Sequence, residues 1–324
     1  MPNAIRVHQT GGPDVLQWGS VEVPAPAEGQ VRLKQHAIGV NYIDTYQRSG
    51  LYKMPLPFVP GSEGAGEVVS VGTGVTDFKV GDRGAYAGAI GGYAEERVMP
   101  ADRLVKLPDA IDYKTGAAMM LQGMTVRYLV RQTYKVVPGT TLLLHAAAGG
   151  IGLILAQWAR HLGAALIIGT VSSQEKGKQA LEAGCTHVID YKTEDFVKRT
   201  KEITGGAGVD VVYDGVGKDT YPGSLDCLKP LGLWVSFGNA SGPVANFSLL
   251  ELSTKGSLYA TRPTLVTYVA KRADLLANAA DLFDVVSKGA VKIAVNHTYP
   301  LKDAAQAHRD LEGRKTTGSI VLLP

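Results

Sequence analysis

The residues best suited to chemistry here are small ones. His145-Ala-Ala-Ala-Gly-Gly-Ile-Gly152 stands at the end of a short apolar strand, Thr141 to His145, and opens a stretch in which Ile151, Leu155, Ala159 and Leu162 share one helical face. Aligned to the dinucleotide fingerprint, it reads Ala147-x-Gly149-x-x-Gly152, with alanine at the first glycine position. Small side chains let backbone N–H groups approach a pyrophosphate at a helix N-terminus. Gly149 and Gly150 are the expected points of approach, and Gly152 allows close packing of helix on strand. By itself such a run also suits a structural turn. The strand before it and the helix after it favour the dinucleotide.

The second strand of such a unit selects the cofactor. An NAD site carries an acid about 20 residues beyond the glycines, bonded to the ribose 2′-OH. Here the strand ends Gly169-Thr-Val-Ser-Ser-Gln-Glu-Lys176, with hydroxyls and a lysine and no acid at the tip. A hydroxyl, a lysine and helix amides hold a 2′-phosphate, which an acid would repel. The expected cofactor is therefore NADPH. Ser172-x-x-Glu175 also reads as a capping box, and Lys176 as a solvated lysine. A phosphate at a helix start is compatible with the first of these.

A metal dehydrogenase needs a cluster of Cys, His and carboxylate ligands. Cys185 and Cys227 stand outside any CxxC spacing, and no two of the seven histidines lie three to five residues apart. The expectation is a metal-free site. Its hydride acceptor must then be electrophilic without a Lewis acid, as quinones and activated double bonds are.

Two kinds of element must position these residues. Residues 1–100 hold short β-like runs punctuated by Gly and Pro: Val31 to Gln35, Gly66 to Gly72, Val80 to Tyr86 and Tyr93 to Met99. They predict a mostly antiparallel barrel or sandwich. From about residue 125 strands and helices alternate. Strands are expected at Ala165 to Thr170, His187 to Asp190, Val209 to Asp214 and Gly232 to Phe237. Helices are expected at Gln174 to Ala183, Thr193 to Thr204 and Thr220 to Leu228. This predicts an α/β doubly wound parallel sheet covered on both faces. A helix, Leu275 to Lys288, and a strand, Ser319 to Leu323, close the chain, and these last residues are expected to return to the first domain.

Composition bounds the rest. At roughly 150 residues per domain, 324 residues suggest two domains. A net charge of +3 lacks the concentrated basic surface that a nucleic-acid partner needs. Two cysteines build neither a disulfide scaffold nor a four-cysteine zinc site, and suit a reducing compartment. With no signal-like start and no apolar run of membrane length, the expectation is a soluble cytoplasmic protein without a membrane partner.

Several segments together resemble a known family. Asn41 to Tyr52, Pro60 to Glu67, Leu121 to Thr125, Ala146 to Gly152, Val212 to Gly217, Val235 to Asn239 and Lys255 to Pro263 are similar to the zeta-crystallin-like quinone oxidoreductases, a zinc-free branch of the medium-chain dehydrogenase/reductase superfamily. The likeness covers essentially the whole chain. It implies a GroES-like barrel at residues 1–124 and 263–324 and a Rossmann domain at 125–262, with the nicotinamide held between them. It also implies that Asn41 and Ser62 stand where zinc members carry a cysteine and a histidine.

By position, the resemblance assigns Ser172, Lys176 and Tyr191 to the 2′-phosphate, and Gly149, Gly150 and Ile151 to the pyrophosphate. Asn41, Tyr46, Gln122 and Thr125 go around the nicotinamide and its ribose. Phe237, Gly238 and Asn239 go beside the carboxamide, and Arg314 or its neighbourhood over the cofactor. Tyr46 and Tyr52 would line a quinone pocket. On residue type alone, Asn41 suits a turn, Tyr46 and Tyr52 suit barrel-surface aromatics, Phe237 suits ordinary core, and Asp44 suits a turn or surface charge. The resemblance implies NADPH-dependent quinone reduction by a homodimer pairing near Gly256 to Thr261. The alternatives are an NADPH-dependent 2-alkenal or enone reductase, and a cofactor-binding protein of crystallin-like or RNA-binding type.

Overall fold

The computed structural model describes residues 1–324. The chain runs β1 (Asn3–Val7), β2 (Leu16–Ser20), β3 (Gln30–Val40), α1 (Tyr42–Ser49), β4 (Glu63–Val71), β5 (Arg83–Ala87), β6 (Glu96–Pro100), β7 (Val105–Lys106) and α2 (Tyr113–Tyr128). It continues β8 (Thr141–Leu144), α3 (Gly150–His161), β9 (Leu166–Val171), α4 (Gln174–Glu182), β10 (His187–Asp190), α5 (Phe196–Ile203), β11 (Val209–Asp214), α6 (Gly223–Asp226) and β12 (Leu228–Ser236). It closes with α7 (Leu249–Thr254), β13 (Tyr259–Thr261), α8 (Leu265–Tyr268), α9 (Arg272–Ser287), β14 (Val295–Pro300), α10 (Ala304–Glu312) and β15 (Ser319–Leu323). Two compact units result: Met1–Met124 with Tyr268–Ser287 and Ile293–Pro324, and Thr125–Thr267 with Lys288–Lys292.

In the first unit the main sheet has the order β14-β15-β3-β4-β5-β7, and β6 also pairs with β3. The pairings of β3 with β4, β6 and β15, and of β4 with β5, are antiparallel. β14 and β15 depart from the antiparallel expectation and run parallel. A parallel pair needs a crossover, and α10 supplies it. β3 alternates buried and more exposed residues at its start and is buried throughout at its end, from Ala37 to Val40. Its last turn thus delivers Asn41 and α1 into the interior. Ile5, Val7, Ile38, Val40, Ile320 and Leu322 pack there as one apolar cluster.

The second unit is a six-stranded sheet in the order β10-β9-β8-β11-β12-β13, every pairing parallel. Counted from β8, this is the doubly wound order 3-2-1-4-5-6. Its central strands β8 and β11 are buried on both faces, which explains their near-continuous apolar runs. The order reverses between β8 and β11, so the turn after β8 lies at the switch point, where such sheets bind ligands.

The differences from expectation have local causes. The helix expected from Thr193 begins at Phe196, because the Asp195 carboxylate caps it, accepting from the Val197 and Lys198 N–H groups. The helix expected from Thr220 to Leu228 shrinks to α6. Asp214 accepts from the Val216 and Gly217 N–H groups and the Thr220 hydroxyl, which holds that segment as a turn. α1 and α2 were not foreseen as helices, and between them they carry Tyr46, Gln122 and Thr125.

The alanine in the fingerprint also has a structural counterpart. A Cβ added at Gly169 on β9 would stand 2.6 Å from the Ala147 Cβ and 2.9 Å from the Cys185 Sγ. Gly169 gives up the space that Ala147 takes. Gly169→Ala should therefore destabilise the second unit by about 2 kcal/mol, as overpacking of a dense core does. Adding Ala147→Gly should recover part of that loss. Urea unfolding followed by Trp158 and Trp234 fluorescence measures both. A double variant no more stable than Gly169→Ala would refute the steric account.

Candidate active site

The second unit builds an anion site from backbone. α3 starts at Gly150 with Gly149 as its N-cap, no side chain bonds that cap, and no acid lies in its first turn. The first N–H groups of a helix have no partner within it and carry partial positive charge. Gly149, Gly150 and Ile151 are half-buried, so a ligand can reach them. The turn is held from behind by Ala147 N–H donating to the Thr170 carbonyl and Gly149 N–H to the Ala146 carbonyl. A Cβ at Gly152 would stand 2.5 Å from the Ala146 and Ala147 carbonyl oxygens, so only glycine lets α3 sit this close to β8.

Beside it, β9 ends at Val171 and Ser172 turns the chain. The cap of α4 is Ser173, not Ser172: the Ser173 Oγ accepts from the Lys176 N–H at 3.3 Å. The expected capping box is thus one residue out of register, because β9 runs to Val171, one residue past the expected end at Thr170. Ser172 is free of a capping role. The Tyr191 N–H donates to the Val171 carbonyl at 3.1 Å, which brings Tyr191 to the end of β9. Ser172, Lys176 and Tyr191 therefore lie near one strand end; β9 itself ends without an acid, and the nearest carboxylate is Asp190 on β10, paired with Val171. This donor set fits a phosphate monoester on the adenosine side of a dinucleotide.

After β12, the Phe237 N–H donates to the Asp214 carbonyl at 2.8 Å. A Cβ at Gly238 would stand 2.4 Å from the Gly215 carbonyl oxygen, so two loops meet backbone to backbone there. Phe237, Gly238 and Asn239 are all half-buried. Thr125, near the end of α2, is buried.

The first unit holds a denser arrangement. The Asn41 Nδ2 lies 2.7 Å from the Glu63 Oε1, and the Gln122 Nε2 3.0 Å from the Asn41 Oδ1. The Ser319 hydroxyl lies 2.8 Å from the Gln122 Oε1, and the Leu121 N–H donates to the Glu63 Oε2 at 2.6 Å. Asp44 accepts from the Asn41 N–H at 2.9 Å, the Tyr93 hydroxyl at 3.0 Å and the Ser62 hydroxyl at 3.2 Å. Tyr93 also meets the His308 Nε2, while Arg48 meets His308 Nδ1 and pairs with Glu312 at 2.7 Å.

Burial governs the acidities of this cluster. It pushes Asp44 up to about 7 and Glu63 up to about 8, against the hydrogen bonds that favour their charged forms. It pushes His308 down to about 3, aided by the Arg48 charge. Asn41 and Gln122 are thus brought together as expected. Asp44 is not the surface charge or turn residue that its letter suggests, and Glu63 went unnoticed. The signals were present: Asp44 stands at Asn41 plus three, the spacing of a helix cap, and Glu63 is enclosed by Gly61, Gly64 and Gly66.

Tyr46 is buried in α1, and Tyr52 meets its ring edge-on at a 5.3 Å centroid distance. Arg314 is exposed and takes a left-handed backbone, φ 56°, just after α10. No group of three or more His, Cys, Asp or Glu side chains is placed to hold a metal ion.

Comparison with known proteins agrees with this frame. The family model described as "Alcohol dehydrogenase GroES-like domain" matches residues 27–109, and that described as "Zinc-binding dehydrogenase" matches residues 150–275. The quinone oxidoreductase of Pseudomonas aeruginosa is 52% identical over 100% of both chains. The 2-haloacrylate reductase of a Burkholderia species is 48% identical, over 100% of this chain and 99% of that one. The solved structure of Escherichia coli quinone oxidoreductase complexed with NADPH has a TM-score of 0.97 at 49% identity, over 99% of this chain and 100% of that one. The chain belongs to the quinone oxidoreductase family of the medium-chain dehydrogenase/reductase superfamily.

Proposed function

We propose that this protein is an NADPH-dependent quinone oxidoreductase. The observation that carries the reading is the second unit's pair of anion sites: the uncapped start of α3 at Gly149, and the acid-free end of β9 with Ser172, Lys176 and Tyr191. NADPH supplies the hydride, and a proton from water completes the hydroquinone. Gly150 and Ile151 hold the pyrophosphate through backbone N–H groups, and Gly149, its own N–H turned back on Ala146, brings the phosphate close to the start of α3. Asn41, Gln122 and Thr125 orient the nicotinamide and its ribose, and Phe237, Gly238, Asn239 and Arg314 confine it. Tyr46 and Tyr52 line the quinone pocket. The protein's work is orientation and exclusion of water.

A second reading, reduction of an activated alkene, has specific support in the 48% identical relative named 2-haloacrylate reductase. NADPH oxidation with 1,4-benzoquinone, naphthoquinones, 2-alkenals and 2-haloacrylates separates the two. The quinones should turn over fastest; inert quinones beside rapid alkene reduction would reverse the assignment. Tyr46→Phe or Tyr52→Phe should lower kcat/KM moderately with either quinone. Lys176→Ala should weaken NADPH about tenfold and leave NADH unchanged, the effect of losing one charge-assisted hydrogen bond. Equal losses for both cofactors would remove Lys176 from the 2′-phosphate.

We also propose a homodimer formed along β13. Tyr259 on this edge strand is 60% exposed, and Leu249 and Leu250 nearby in sequence on α7 are 75% and 69% exposed. No helix is long and apolar enough to cross a membrane. The proposed compartment is the cytoplasm, in keeping with two buried thiols, Cys185 and Cys227, that form no disulfide. Sedimentation equilibrium should give a dimer, and Tyr259→Asp should shift it towards monomer. A monomeric parent protein would end the dimer proposal.

A further inference from the structure

Four side chains in the first unit form a hydrogen-bond line that is satisfied in either direction. With Glu63 ionised, Asn41 Nδ2 donates to Glu63 Oε1, Gln122 Nε2 donates to Asn41 Oδ1, and the Ser319 hydroxyl donates to Gln122 Oε1. An amide turned by 180° exchanges oxygen and nitrogen at nearly the same positions. With Glu63 protonated, its hydroxyl donates to the Asn41 oxygen, Asn41 donates to the Gln122 oxygen, and Gln122 donates to the Ser319 Oγ. The Ser319 proton then goes to the Ala118 carbonyl, already 3.1 Å away. The Leu121 N–H donates to the other oxygen of Glu63 in both directions. Neither direction leaves a member of the line without a partner.

We propose that Glu63 is a positioning residue: its proton decides which way the Asn41 and Gln122 amides face, and so where each presents its second N–H. Glu63 is suited to this because it is the one member of the line whose charge changes on titration. Asn41, Gln122 and Ser319 are neutral, and each accepts or donates at either end. The site is also rigid. A Cβ at Gly39 on β3 would stand 2.1 Å from Glu63 Oε1, so the strand leaves room for this carboxyl and little more.

The titratable groups acting on Glu63 are Asp44 on α1, Tyr86 on β5 and Tyr93 ahead of β6. All three are acids. From α2 it meets the neutral Leu121 amide and from β3 Gly39, and it reaches β15 only through Asn41, Gln122 and neutral Ser319. Burial raises Glu63 to about 8, in the range where the proton can come and go.

As regards activity, this inference rests on the proposed placing of Asn41 and Gln122 at the nicotinamide, but its test does not. Side-chain NH2 resonances of Asn41 and Gln122 are followed by NMR in the ligand-free protein from neutral to alkaline pH, together with the carboxyl carbon of Glu63. Both amides should move in one transition with that carbon, near pH 8. Glu63→Gln has an N–H fixed towards Asn41, and should hold both amides at their low-pH positions throughout. Amides that stay put while Glu63 titrates, or that move equally in E63Q, would overturn the proposal, and the second result would assign the movement to Asp44.

The wild-type titration decides the matter even if E63Q does not fold. Stability gives an independent reading. Glu63 lies above its ordinary value of 4.5, so its contribution is complete below that pH and is lost as pH rises through about 8. E63Q should lack that alkaline loss. NADPH affinity is measured last, on both proteins on either side of the transition. A several-fold change in their affinity ratio is expected. An amide transition without that change upholds the role of Glu63 and removes Asn41 and Gln122 from cofactor contact.

Discussion

Asp44 and Glu63 are fully enclosed, and hydroxyl, amide and backbone N–H groups are their partners. Removing a carboxylate from water without a counter-ion is costly, so such groups shift towards their neutral forms. Much of the first unit's interior is arranged around this constraint. β3 ends in Asn41, which touches both acids. α1 turns Asp44 back on the Asn41 N–H, and β4 begins with Glu63 itself. Gly64, next to it, has no room for a side chain, because a Cβ would stand 2.4 Å from the Gln35 Oε1 and 2.7 Å from the Tyr86 hydroxyl. α2 brings Leu121 and Gln122, and β15 brings Ser319. The strong fixed charges of the cluster lie further out, in the Arg48–Glu312 pair, with a neutral His308 between them and Tyr93.

The second unit resolves the same problem in the opposite way. Asp214 is also fully buried, yet its carboxyl is held below the ordinary range. Burial still opposes this, but nearby His145 favours the charged form, and five donors converge on its two oxygens: the Val216 and Gly217 N–H groups, the Thr220 and Ser224 hydroxyls and the Trp234 indole. Enough hydrogen bonds replace the lost water, and the charge stays. This fixed anion shapes the loop after β11, while the uncapped start of α3 offers positive potential after β8. All three acids are buried; Asp214, with His145 nearby and five donors, is held towards its charged form, while Asp44 and Glu63, with fewer donors, are pushed towards their neutral forms.

Legibility in the sequence follows the range of the interactions. The sheet of the second unit was readable because apolar runs and glycine stops are local signals. β10, β11 and β15 fall where the letters place them. The glycine motif was readable because Gly149 to Gly152 are contiguous. Ser173 displaced Ser172 as cap because one more residue of β9 pairs than the pattern shows. The glycines around Glu63 mark it as enclosed, but its partners could not be read, since Leu121 lies 58 residues away and the line continues from Gln122 to Ser319 across 197 more. A glycine-flanked acid gives no hint of where the chain will return. Ala147 in the fingerprint looked like a defect, and only the pairing of β8 with β9 shows Gly169 making space for it.

Asn41 and Ser62, which the family resemblance sets where zinc members carry a cysteine and a histidine, are bonded here to the two buried acids. Asn41 meets Glu63, and Ser62 meets Asp44. The Asn41 oxygen, the atom most able to bind a cation, already has Gln122 as partner. An amide and a hydroxyl are weak ligands for a metal that prefers thiolate and imidazole. They are good partners for carboxyl groups in either protonation state, because each can both donate and accept. The replacement therefore does more than remove two ligands. It joins each acid to neutral hydrogen-bonding groups, Asn41 to Glu63 and Ser62 to Asp44, that suit a carboxyl with or without its proton.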